Sequence, residues 1–188
     1  IAFPIPALEQ ILLQGLNGRI PIANRPMLAG ASPTFLSKPG KGPTATRGVM
    51  PQCMFTRLLA TYLNIEQENV IKNAVGGHQA AVLVKKGAEQ LALMTMAWQD
   101  QHEDALTLVT DAANGFPSVK RKQLAKLLVQ EAPELIGYFQ TCYGVSPLMV
   151  YTEFDKNSGT YARVIDYVGD GLLMGEGLAS ALFTFLNK

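Results

Sequence analysis

The stretch Ala105-Leu106-Thr107-Leu108-Val109-Thr110-Asp111, continuing as Ala112-Ala113-Asn114-Gly115-Phe116-Pro117-Ser118-Val119, decides how the rest of the chain is read. The run from Ala105 to Thr110 is short and apolar enough to predict a buried strand, with Asp111 at its C-terminal end. Asn114-Gly115 then turns the chain, and Ser118 is placed to cap a helix. That helix turns Leu124, Leu127 and Leu128 inward and Lys120, Arg121, Lys122 and Lys126 mostly outward. An aspartate at the end of a buried strand, before a turn and a helix, is a recurrent place to hold a metal ion. It is also a common place for an aspartate that does nothing more than cap the helix.

Downstream, Pro133 suits the first turn of a short helix reaching about Cys142. Leu148–Tyr151 and Tyr161–Tyr167 then read as strands on either side of Asp155-Lys156-Asn157-Ser158-Gly159, a hairpin loop by its turn residues. The segment Leu178–Leu186 starts a last helix. Upstream, Phe55, Leu58, Leu59, Tyr62 and Leu63 recur at three and four spacing, which predicts an amphipathic helix over 52–63. A longer helix is expected from about His78 to Trp98, with Val82, Leu83, Ala92 and Met96 along one stripe. The first fifty residues, rich in Pro and Gly around Pro39, Gly40, Gly42 and Pro43, read as loop and short strand.

The 188 residues are 48% hydrophobic and 16% charged, enough for one sizeable core. No uncharged run is both long and apolar enough to span a bilayer, and the apolar segment Ile1–Leu8 lacks the basic flank of a signal peptide, so a soluble protein with no membrane partner is expected. Cys53 and Cys142 stand far apart with no second Cys or His at metal-binding spacing, and read as free thiols. With no Asn-x-Ser/Thr sequon either, a reducing intracellular compartment is favoured. The net charge of +1 conceals a division along the chain. Residues 1–60 carry Arg19, Arg25, Lys38, Lys41, Arg47 and Arg57 against Glu9 alone, while the remainder is net acidic. A basic first third suits a phosphate-bearing partner, and equally a solvated basic surface.

Four segments, in order, resemble reverse transcriptases of the non-LTR retrotransposon type. Lys38-Pro39-Gly40-Lys41 with Arg47-Gly48-Val49 is similar to their fingers loop, Asp111–Val119 to their motif A, and Ala132-Pro133-Glu134-Leu135 with Cys142-Tyr143-Gly144 to the helix pair that follows it. Gly171–Leu178, followed by Leu182-Phe183, stands where motif B lies. The resemblance implies an α+β fold, the fingers and palm portion of a right-hand polymerase, with an antiparallel sheet and packed helices. Residues 1–104 would be the fingers-like region and residues 105–188 a partial palm; motif C and the thumb are absent. It places the Asp111 strand and the hairpin strands together in one central sheet.

The activity so implied is RNA-directed DNA synthesis. Nucleotidyl transfer uses two divalent cations about 4 Å apart held by clustered carboxylates. Asp111 would be one catalytic, metal-binding carboxylate for Mg²⁺, and Lys41 and Arg47 would meet the triphosphate, the arginine able to grip two oxygens. Phe116 would lie under the incoming sugar and favour a dNTP over a ribonucleotide. Gly175 would belong to the nucleotide-binding motif B loop. For each there is a plainer reading: a basic surface loop for Lys41 and Arg47, and a core aromatic anchoring its helix for Phe116.

The chain also departs from the family pattern. Met174, Glu176 and Gly177 replace the usual Gln, Asp and Pro of motif B, Gly48 replaces a Pro in the fingers, and Gly115 replaces an Ala in motif A. One carboxylate cannot hold two Mg²⁺ ions in near-octahedral geometry, so the isolated chain is expected to be inactive. The expected partners are RNA or an RNA/DNA hybrid, with dNTP if active, and a completing polypeptide that carries motif C and the thumb. The alternative is a catalytically inactive, reverse-transcriptase-derived RNA-binding or structural module in a larger ribonucleoprotein. An unrelated α+β domain is the third reading.

Overall fold

The structure, a computed structural model, describes residues 5–38, 40, 46–76, 79–80, 82–102, 104–111 and 114–186. Helices α1 (Ile5–Leu16) and α2 (Arg25–Leu28) precede an antiparallel ribbon of β1 (Thr34–Ser37) and β2 (Thr46–Val49). Helices α3 (Met54–Glu66), α4 (Glu68–Val75), α5 (Gly87–Gln101), α6 (Gly115–Ser118), α7 (Arg121–Glu131) and α8 (Ile136–Tyr143) follow. A second antiparallel ribbon, β3 (Leu148–Asp155) with β4 (Thr160–Tyr167), leads into α9 (Ala179–Thr184). The class is therefore mixed helix and antiparallel strand, with helix predominating.

The core is organised round α8. Its sequence is apolar on nearly every side, and Gly137, Tyr138, Phe139, Thr141, Cys142 and Tyr143 are all buried, as befits a helix surrounded by others. Helices α1, α2, α3 and α7 pack on it. The approach of α1 is so close that a Cβ on Gly137 would stand 2.0 Å from the Leu16 carbonyl oxygen. Thr141 donates its hydroxyl to the Gly15 carbonyl at 2.6 Å, and Arg25 donates to the carbonyls of Gly18, Ile20 and Gln140. The last of these belongs to the final turn of α8 and also accepts from the Gly144 amide at 3.0 Å. Ala179, Leu182 and Phe185, in and beside α9, close the core from the other end of the chain.

Several sequence expectations hold. Helix α3 overlaps the predicted 52–63, starting two residues later and running three further, and the β3–β4 hairpin lies where the turn residues place it, with longer strands. The Asp155 carboxylate accepts from the Asn157 amide at 2.9 Å, and Gly159 closes the turn at φ +67°. Others are corrected. The first fifty residues contain α1, because Pro6 falls in its first turn, where an amide hydrogen has no intrahelical acceptor to lose. Helix α4 was not anticipated.

The long helix begins at Gly87; His78 lies outside the described residues. Val82 and Leu83 precede it, with Leu83 and Lys86 at positive φ, and they pack against the core from a turn. Of α5 only Gly87 is buried, because its apolar residues are spread round the axis rather than gathered into one stripe.

The principal correction concerns the opening stretch. Ala105–Asp111 forms no strand, and Leu106 is 95% exposed and Leu108 and Val109 87%. Among the described residues no strand pairs with it, so its apolar side chains have nothing to be buried against. The expected central sheet is replaced by two separate two-stranded ribbons.

Candidate functional site

The loop between β4 and α9, residues 168–178, is where the sequence-selected segments meet. Helix α6 reaches it first. Asn114 adopts a left-handed conformation at φ 55° and α6 follows, with Phe116 half-buried against the Phe183 ring at 5.0 Å. The Phe116 carbonyl accepts from the Leu172 amide at 2.8 Å, and the Val119 carbonyl accepts from the Gly171 amide at 3.0 Å. Gly171, at φ +83°, packs so tightly that a Cβ would stand 2.4 Å from the Pro117 carbonyl oxygen. From the other side comes β2, whose end is pinned by the Met50 amide donating to the Met174 carbonyl at 2.6 Å. A Cβ on Gly175, at φ +104°, would lie 3.2 Å from a Val49 methyl. The backbone of β2, α6 and the 168–178 loop is thus one hydrogen-bonded unit.

Arg121 holds the same loop from beneath. The sequence placed it mostly outside, among Lys120 and Lys122, yet it is buried. Its guanidinium donates to the carbonyls of Val168, Gly169 and Gly171 and lies 5.1 Å over the Tyr143 ring. Burial lowers its pKa, against the opposing pull of Tyr143 and Asp170. Ser118, expected to cap α7, instead closes its own turn by donating to the Gly115 carbonyl. Asp170 caps α7 from across the chain, its Oδ1 accepting from the Arg121 amide at 3.0 Å. Lys120 lies 3.4 Å from its other oxygen. Hydrogen bonds from the Arg121 and Gly171 amides, with Lys120 beside it, hold the Asp170 pKa below the usual carboxylate value.

Glu176 turns inward. It is fully enclosed, and its carboxyl is met by the Tyr138 hydroxyl, the Leu178 amide at 2.7 Å and the Tyr143 hydroxyl at 3.4 Å. Tyr143 in turn accepts from the Leu173 amide at 3.2 Å. Burial raises the Glu176 pKa to about 7, an effect only partly offset by these hydrogen bonds. Burial likewise raises the Tyr138, Tyr143 and Cys142 pKa values, so all three stay protonated.

No protein family and no curated protein matches this chain. The predicted site residues are therefore judged by their surroundings. Arg47 is exposed on β2, opposite Leu36, and makes no side-chain hydrogen bond or ion pair with a described residue. Phe116 bonds to the shared loop and Gly175 lies within it. Lys41 lies outside the described residues. Asp111 is exposed and has no hydrogen-bonding or ion-pairing partner among them. No group of three or more Asp, Glu, His or Cys gathers anywhere in the described part, so the residues described do not by themselves fit a two-Mg²⁺ centre. No described helix is long and apolar enough to cross a membrane.

Arg121, Asp170 and Glu176 were missed as determinants of the loop. The sequence signal for Arg121 is an arginine inside a lysine cluster, since only the guanidinium offers a fixed fork of donors to several carbonyls. Glu176 gives no local signal of its burial, because its tyrosine partners are 38 and 33 residues away.

Proposed function

We propose that this chain is the fingers and partial palm of a reverse-transcriptase-like polymerase, competent for RNA-directed DNA synthesis only when further carboxylates and a thumb are supplied from elsewhere. The observation that carries this reading is the convergence of three separately chosen segments on one loop. Phe116 bonds Leu172, Met50 bonds Met174, and Gly175 packs against Val49, so the Arg47 strand and helix α6 are both tied to residues 168–178. An exposed arginine and a half-buried aromatic ring near one glycine-rich loop are the kinds of group that hold a triphosphate and a sugar. The exposed apolar run that ends at Asp111 also suits a strand awaiting partners from a completing polypeptide.

The test is complementation. The chain is joined with a polypeptide bearing an aromatic-x-Asp-Asp hairpin, and Mg²⁺-dependent primer extension on an RNA template is measured. Extension that Asp111→Ala abolishes and Arg47→Ala weakens is the expected result. Extension indifferent to Asp111, or none with any completing fragment, would discard the catalytic reading.

A second reading has its own support. Glu176, in the position of the motif B acid, is buried against Tyr138 and is unavailable to a nucleotide. On that reading the fold serves as an RNA-binding or structural module in a larger complex, and salt-sensitive RNA binding survives Asp111→Ala.

A further inference from the structure

The β3–β4 ribbon divides its side chains by charge. In the register that pairs Leu148 with Tyr167 and Asp155 with Thr160, one face carries Val150, Thr152 and Phe154 beside Ile165, Arg163 and Tyr161. Every carboxylate of the ribbon, Glu153, Asp155 and Asp166, falls on the other face. The acid-free face is open. Tyr161 is 75% exposed and Phe154 49%, with their rings 5.1 Å apart. Arg163 sits at its centre opposite Thr152, and its guanidinium makes no hydrogen bond or ion pair with any described residue.

At the edge of the ribbon Arg163 also lines a cavity of about 590 Å³, bordered by Ser32, Pro33, Phe35, Tyr151 and Thr152. Phe35 stands edge-on to Tyr151 with ring centroids 6.4 Å apart. None of the residues predicted from the sequence as site residues lines this cavity.

A cation without a partner among the described residues, an aromatic pair next to it towards the turn, apolar Ile165 and Val150 on its other side and no acid on its face match a ligand that is anionic and carries flat apolar rings. The geometry points to a subsite for single-stranded nucleic acid on the acid-free face of β3–β4, with Arg163 at a phosphate and bases stacked on Tyr161 and Phe154. The choice of ligand class rests on the polymerase reading, while the placement rests on the ribbon alone. Stacking of this kind tolerates any base, because every base has a π-face, and the arginine contact adds a salt-dependent share.

The test uses the chain itself and labelled oligouridylate and oligodeoxythymidylate of about ten nucleotides, titrated by fluorescence anisotropy at several salt concentrations. Tyr161→Ala is expected to weaken binding by about tenfold, within the range for one lost base stack. Arg163→Gln is expected to weaken it and to flatten the slope of log affinity against log salt by roughly 0.7, the share of one phosphate contact on a single strand. Glu153→Gln and Asp166→Asn, on the opposite face, should leave the slope intact. All four side chains are exposed, and circular dichroism checks that each variant folds.

Wild-type affinity in Tyr161→Ala and Arg163→Gln, with a loss in Arg47→Gln, would overturn the subsite yet leave the polymerase reading standing. Absence of binding by the wild type, with a concentration-dependent rise in mass that Tyr161→Ala abolishes, would overturn it in favour of a protein interface. Failure of the polymerase reading shows separately, in primer extension indifferent to Asp111.

Discussion

Tyr138 on α8 donates its hydroxyl to Glu176 in the 168–178 loop, and the Leu178 amide donates to the same carboxyl oxygen. A single acid therefore ties that loop to α8, most of whose residues are buried. The carboxyl is short of full compensation for the water it has lost, and burial dominates its proton affinity.

Stability should accordingly depend on pH through Glu176. Its folded-state pKa of about 7 lies above the ordinary value of 4.5. The stabilisation is thus fully present below about pH 4.5 and is lost as pH rises through 7, with a total on the order of 3 kcal/mol. Asp170 and Asp155 have lowered pKa values and act with the opposite sign, withdrawing stability only as pH falls below the ordinary carboxylate range. Urea unfolding between pH 4.5 and 8.5 should show the wild type weakening towards alkali while Glu176→Gln stays nearly flat. Equal slopes for the two proteins would refute the role given to Glu176.

Gly137→Ala should be among the most damaging single-methyl additions available. The new Cβ would meet the Leu16 carbonyl oxygen at 2.0 Å, a backbone atom that cannot swing aside. Overpacking of this kind costs about 1–3 kcal/mol, and here α1 must shift or separate from α8. Thermal unfolding of Gly137→Ala beside Gly159→Ala separates packing from backbone strain, since a Cβ at Gly159 meets nothing within 4 Å. A larger loss at Gly159 would show that the α1–α8 contact is not as close as described.

Gln52→Met should stabilise the chain. Gln52 is buried, and neither its amide nitrogen nor its amide oxygen has a hydrogen-bond partner among the described residues. An unpaired buried polar group costs about 1–3 kcal/mol, and methionine fills a similar volume without one. A gain of about 1 kcal/mol in urea unfolding is expected, and a loss would reveal a partner for the amide.

The sequence was most legible where local chemistry decides the outcome. The β3–β4 turn was readable because Asp155, Asn157 and Gly159 each favour one tight conformation, and α3 because its apolar residues recur on one face. Where distant packing decides, composition misled. Leu106, Leu108 and Val109 look like a buried strand, but burial needs a neighbour and the described chain provides none. Arg121 and Glu176 were hidden for the converse reason, since nothing in Lys120-Arg121-Lys122 or Gly175-Glu176-Gly177 announces carbonyls and tyrosines that only the fold brings near. For the candidate site, the convergence of β2 and α6 on one loop could not be read from spacing, because it rests on backbone hydrogen bonds between residues more than fifty positions apart.

The uncovered run from Ala105 to Thr110 has a practical consequence for anyone handling the chain in solution. Six consecutive uncharged residues, with Leu106, Leu108 and Val109 largely open to water, present an apolar segment to any identical copy. An exposed segment of this composition is an aggregation hazard, and a single lysine in place of Leu108 is the simplest guard against it.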